Sequence, residues 1–159
     1  MRVVVRLAAP MVLVLVFATS TFAAQPQAVA ISTVGSDIGG TQVGTFVATG
    51  AIADAGTFSF DLDSPRAFAF AGFGAPTFGL ARSLEFFVGE SGAFTLENVV
   101  KFSLTDAPGV FAVEGNWSVV SGTGAYATLR GQGSITGVID ATGAQELFLF
   151  EFTGTAHYN

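Results

Sequence analysis

SGTGAYATLRGQGSITG, Ser121–Gly137, sets five glycines into seventeen residues, and its reading decides between two fold classes. Its first half, GTGAYA, satisfies the relaxed dinucleotide-binding pattern G-x-G-x-x-A. That pattern needs a helix opening on the glycines, so that its first amides meet a pyrophosphate. The residues after it instead alternate strictly in twos: Ala127, Leu129, Gly131, Gly133, Ile135, Gly137 and Ile139 against Thr128, Arg130, Gln132, Ser134 and Thr136. A side-chain period of two belongs to a strand. The stretch therefore reads as a tight turn leading into β-structure. Gly122 and Gly124 are expected in the turn, where positive φ is useful. Gly131, Gly133 and Gly137 are expected on the inward face, where a missing side chain makes room.

The same period recurs on both sides. Phe94, Leu96, Asn98, Val100, Phe102 and Leu104 share one face of a strand, with Thr95, Glu97, Lys101 and Ser103 on the other. SLEFFV precedes it across a turn at Glu90, Ser91 and Gly92, a three-residue hairpin loop with glycine in the left-handed position. That loop pairs Val88 with Phe94, Phe86 with Leu96 and Leu84 with Asn98, so that the apolar faces coincide. It also sets Glu85 opposite Glu97 on the wet face, an exposed like-charged pair partly compensated by Lys101. Downstream, Phe111, Val113, Gly115, Trp117 and Val119 are apolar against Glu114, Asn116 and Ser118, and either Gly115 or Trp117 falls beside Asn98. The last strand, roughly Glu146 to Tyr158, turns Phe148, Phe150 and Phe152 one way and Leu147 and Leu149 the other. Upstream, residues 43–53, 57–63 and 67–71 are three further strand candidates.

About eight consecutive antiparallel strands, each with one apolar face, close as an up-and-down β-barrel or stack as a β-sandwich. The barrel is favoured. Closure removes edge strands, and few charges or prolines are present to protect edges. Inward glycines opposite Phe and Trp also suit the mixture of small and large side chains inside a small barrel.

Residues 1–24 have the order of a secretory signal: Arg2 and Arg6, an apolar run from about Leu7 to Phe17, then small residues with Thr21 and Ala23 at the −3 and −1 positions. Ala28 and Ala30 offer a second cleavage choice, so the cut falls near residues 23–30. Residues 25–41 read as a flexible tail and residues 42–159 as one barrel domain. The expected location is extracellular or periplasmic, and the low lysine content with abundant Ala, Gly and Val suits a GC-rich bacterium. Without the signal, Arg66, Arg82, Lys101 and Arg130 stand against all twelve acids. That strongly acidic balance argues against nucleic acid or an anionic membrane as a partner. There is no cysteine, so packing and hydrogen bonds must hold an exported chain together without disulfides. AGFGAPTFGLAR, Ala71–Arg82, reads as a long non-strand stretch, either a lid over one barrel mouth or an interface segment.

Groups suited to covalent chemistry are scarce. His157 is the only histidine, no G-x-S-x-G elbow occurs, and neither a zinc nor a calcium loop can be assembled. No metal or cofactor is expected. Asn98 is the one polar residue in a long inward apolar stripe, and a buried amide needs partners: water, main chain or a ligand. No inward carboxylate or histidine is expected in the best-defined strands, which argues against acid–base catalysis inside the barrel. Catalysis would need an upstream acid, Asp54 or Asp61, to face Asn98.

At Trp117–Gly133 the sequence resembles the late-strand signature of the allene oxide cyclase and dirigent group of eight-stranded barrels, including small secreted bacterial proteins. Gly122, Thr123, Gly124, Tyr126, Arg130 and Gly131 carry the match. The resemblance implies a barrel with a hydrophobic cavity, often assembled as a homotrimer. Plant members steer reactive intermediates, cyclising an unsaturated epoxide or coupling phenoxy radicals. Their cavity acids and tyrosines have no counterpart aligned here, so no catalytic role is carried over.

The expectation is a secreted all-β barrel that binds an apolar small molecule through Asn98, Trp117, Phe102, Phe148 and Phe150, or that serves a structural role. The alternative is a cofactor-free cyclase or dirigent-type protein whose cavity orients a reactive hydrophobic substrate. The outward Leu147 and Leu149 point to a homo-oligomer, a dimer or trimer.

Overall fold

The computed structural model describes residues 25–38, 41–61, 69–71 and 78–159. Among the described residues, nine strands run in chain order: β1 Gln27–Ile38, β2 Thr41–Gly50, β3 Asp54–Asp61, β4 Ala69–Ala71, β5 Phe78–Gly89, β6 Ala93–Leu104, β7 Val110–Gly122, β8 Leu129–Asp140 and β9 Leu147–Tyr158. A single 3₁₀ turn, Gly124–Tyr126, precedes β8. Neighbours pair antiparallel in the order β3-β2-β1-β9-β8-β7-β6-β5-β4, and a β3–β5 pairing closes the ring. β3 lies beside residues 84–89 of β5 and β4 beside residues 78–80, so the two share one position. The result is a closed eight-stranded up-and-down β-barrel. No sandwich forms, and closure leaves the long strands without free edges.

Residues 25–41, expected as a tail, contain β1, which pairs with β2 and β9 and buries Val29, Ile31 and Thr33. Its alternation of Val29, Ile31 and Thr33 with small and polar residues is as regular as any in the chain. The expected count of eight omits β1 and takes β3 and β4 separately. Of the proposed lid segment, Phe78–Arg82 is strand; residues 72–77 lie outside the described residues, as do residues 1–24, on which the expected signal falls.

β5 departs from expectation by one residue. Phe87 pairs with Phe94, Glu85 with Leu96 and Ser83 with Asn98. The loop is closed by a bond from the Gly89 amide to the Gly92 carbonyl, and Gly92 has φ 150°. A one-residue slip moves every side chain of a strand to the other face. Phe87 and Glu85 are therefore buried, while Phe86 and Val88 face outward.

One half of the interior is filled. Phe46, Phe87, Phe94 and Phe152 cluster there, with Phe87 stacked on Phe94 at 4.7 Å and Phe46 edge-on to both. Ile52, Leu129 and Tyr126 complete this plug. The Tyr126 hydroxyl donates to Asp54 Oδ2 at 2.6 Å, and the Glu90 and Ser91 amides donate to the same carboxylate. Three chain reversals are thus tied together at the plugged end.

The opening glycines fit this packing. Gly124 takes the positive φ, 60°. Gly122, expected to share it, instead ends β7 opposite Phe94 without one, and its missing side chain admits the Tyr126 carbonyl. Gly133 pairs with Trp117 on one side and Gly154 on the other. The indole lies over this glycine pair and donates from Nε1 to the Thr153 carbonyl at 3.2 Å. Phe150 occupies the space at Gly137, and Ala156 that at Gly131.

Candidate functional site

The other half of the barrel is not filled by the described residues. A cavity of about 320 Å³ lies inside it, walled among the described residues by Phe60, Phe102, Phe111, Phe148, Phe150 and Ile135. The even face of β9 supplies Phe148 and Phe150, and the even face of β6 supplies Phe102 and Asn98. Phe102 and Phe111 meet edge to face, as do Phe60 and Phe150. Gln42 and Glu146 line the cavity near its mouth, at the end of the barrel that carries the β1–β2 and β8–β9 connections. Further in, the polar lining consists of Ser83 and Asn98, which face each other across the β5–β6 ladder.

Asn98, Phe102, Phe148 and Phe150 thus line one cavity. Trp117 does not join them. It stands beside Asn98 in register, but its ring covers Gly133 and Gly154, so the space left by those glycines is taken by the protein itself. Two larger depressions lie on the outer surface, along Gly133–Gly154 and along Gly35–Gly44. They are shallow grooves on the outer face of the ladder, unlike the aromatic-walled interior.

Behind Asn98 stands the residue that the expected hairpin register assigns to solvent. Glu85 is 0 % exposed and Asn98 1 %, and the Asn98 amide Nδ2 donates to Glu85 Oε2 at 2.9 Å. Glu85 sits one inward step from Ser83 and one from Phe87, at the boundary between the plugged and open halves. Desolvation pushes its pKa up to about 8, against the weaker opposing pull of the Asn98 hydrogen bond. At neutral pH the carboxyl is therefore mostly protonated. Glu85 Oε1 and Asn98 Oδ1 are both buried without a hydrogen-bond partner.

The pairing of Glu85 with Glu97 is corrected accordingly. Glu97 lies outside, where it accepts from Arg82 Nε at 2.8 Å, and Glu85 lies inside. The expectation of an interior free of carboxyls falls with it. Of the two acids considered for facing Asn98, Asp54 is at the opposite, plugged end, and the side chain of Asp61 lies outside the described residues. Parity along the whole of β5 could have found Glu85. An even-inward strand extending to Phe78 would carry Arg82 into the barrel, and a guanidinium cannot shed its charge. A carboxyl can neutralise by binding a proton, so the odd-inward register has the lower cost.

Among the described residues, no cluster of three or more His, Cys, Asp or Glu side chains could hold a metal ion. Chemically, the site offers an aromatic wall for an apolar guest, one amide and one hydroxyl at its inner end, and a protonated carboxyl behind the amide. Compared with protein-family models, curated proteins and solved structures, the chain matches none.

Proposed function

We propose that the protein is an exported barrel that binds a small, largely apolar molecule in the open half of its interior. The observation that carries this reading is the cavity itself: about 320 Å³, aromatic-walled, with its inner polar groups confined to Ser83 and Asn98. Small-molecule pockets run from roughly 300 to 1,000 Å³ and combine apolar walls with a few placed polar groups. The guest therefore belongs to the small end of that range. A purely structural barrel has no need of an aromatic-lined void, because unfilled space forfeits packing contacts. The test is mass spectrometry of apolar compounds that copurify with the exported protein, repeated on Ala81→Phe, which places a ring in the cavity from β5. Copurified compounds should disappear from the variant while its fold, read by circular dichroism, is retained. Equal recovery from both proteins would place the guest elsewhere and sink the reading.

A cofactor-free isomerase of the cyclase or dirigent kind is the second reading, and Glu85 is the observation that favours it. A carboxyl whose pKa lies near 8, one hydrogen bond behind the cavity-lining Asn98, is suited to proton transfer. Loss of turnover without loss of binding in Glu85→Gln would distinguish this reading from simple binding. The chain also carries a face for a second copy of itself. Leu149 lies between Val34 and Val138 in one outward row across β1, β9 and β8, and Leu147 beside it is 49 % exposed. Light scattering should report a dimer or trimer that Leu149→Glu converts to monomer.

A further inference from the structure

Asn98 is the junction between the cavity and the buried carboxyl. It lines the cavity, it is 1 % exposed, and its two polar atoms differ in state. Nδ2 is engaged, donating to Glu85 Oε2, while Oδ1 accepts nothing. An unpartnered buried acceptor is costly, and an apolar guest would leave that cost in place. A guest with a hydroxyl or N–H group would remove it. With Nδ2 donating to Glu85 Oε2, the proton of the neutral carboxyl sits on Oε1 and the amide carbonyl is the end left over. Ser83, the other inner polar group, has a rotating hydroxyl that donates or accepts equally well, so it adds no preference of its own.

We infer that Asn98 is the specificity-determining residue of the cavity, selecting through its free Oδ1 apolar molecules that carry one hydroxyl or N–H donor, with Glu85 the positioning residue that fixes the amide in this orientation. The inference rests on the cavity-binding reading and narrows the guest to a chemical class. A site built to hydrogen-bond a group rejects analogues lacking it far more strongly than an apolar pocket rejects a change of shape.

The test uses three probes of nearly one shape on the protein without its signal sequence: indole, which donates from N–H; indene, which has no polar atom; and quinoline, which only accepts. Titration calorimetry should find indole binding about tenfold or more tightly than indene or quinoline. In Asn98→Leu the advantage of indole over indene should vanish while indene still binds, which also verifies that the variant folds. In Glu85→Leu the amide loses its anchor and can turn Nδ2 toward the cavity, so the preference should move from indole toward quinoline. If all three probes bind the native protein equally, or quinoline binds best, the cavity reading stands and the role of Asn98 is overturned. If none binds, the cavity reading falls and takes this inference with it. If Glu85→Leu keeps the indole preference, Glu85 is not what orients the amide.

Discussion

At Glu85 a carboxyl is withdrawn completely from water with one amide as its hydrogen-bond partner. Its pKa, ordinarily near 4.5, is pushed up to about 8 by burial, and this shift fixes the sign of the pH dependence. Below about pH 4.5 folded and unfolded chains both hold the proton. As pH rises, the unfolded chain releases it first, so stability declines until the folded carboxyl also ionises near pH 8 and then levels off. The limiting slope for one proton is about 1.4 kcal/mol per pH unit. Glu85→Gln keeps a neutral group of the same shape, and its urea-denaturation stability should be nearly flat across this window in this respect. The variant should gain on the native protein by a few kcal/mol between about pH 5 and pH 8. Parallel pH profiles for the two proteins would show that Glu85 ionises normally, contrary to its placement.

Among the elements, β5 is where patterning alone is insufficient. SLEFFV is apolar on both parities, with Leu84, Phe86 and Val88 on one side and Phe87 on the other, so a short window favours the wrong face. The decision is made by groups beyond the window. Arg82 must stay outside, where it meets Glu97; Gly79 must lie inside, where Phe102 occupies its missing side-chain space; and Phe87 finds three aromatic partners in the plug. By contrast, β6, β7, β8 and β9 are legible because each is apolar on one parity over ten residues or more. The plugged end depends on a different element, the 3₁₀ turn that delivers Tyr126 to Asp54. Partial desolvation works to raise the Asp54 pKa, but the bonds from Tyr126 and from the Ser91, Ala55 and Glu90 amides outweigh it and hold the pKa below the usual carboxylate value. That stabilisation is present above the unfolded pKa and is lost as pH falls through the depressed folded one. Tyr126→Phe should cost about 1–3 kcal/mol at neutral pH in thermal or urea denaturation. The penalty should shrink below about pH 4 as Asp54 protonates in the unfolded chain. A variant as stable as the native protein at neutral pH would show the clamp to be ornamental.

For the whole molecule, closure depends on β1. It is the first strand in sequence, yet it lies between β2 and β9 and joins the two ends of the chain. This bears on where the proposed leader would be removed. A mature chain starting near Ala24 keeps β1 whole, whereas one starting at Ile31 loses the buried Val29 and the bond from the Ala51 amide to the Ala28 carbonyl. If the chain is exported as proposed, the intact mass of the product should place the first residue before Gln27. A chain produced to begin at Ile31 should be less stable by about 2–4 kcal/mol in urea, and equal stability would show those residues to be dispensable.

The sequence by itself determined that the chain is all-β, that its strands are consecutive and antiparallel, and which faces of β6 to β9 point inward. A period of two and the spacing of turns are local properties, written within ten or so residues. It also placed Asn98, Phe102, Phe148 and Phe150 on those inward faces. Only the tertiary structure decided that Trp117 covers two glycines instead of a guest, that one half of the barrel is plugged and the other hollow, and that Glu85 stands behind Asn98. Each of these depends on which strands meet across the ring and in what register. That register is chosen by the summed cost of every side chain it buries, a sum that includes Arg82, Gly79 and the plug on strands far apart in sequence. Ser121–Gly137 shows both levels: its alternation is readable as a turn and a strand, but the ring lying over Gly133 comes from β7 and the glycine completing its bed from β9.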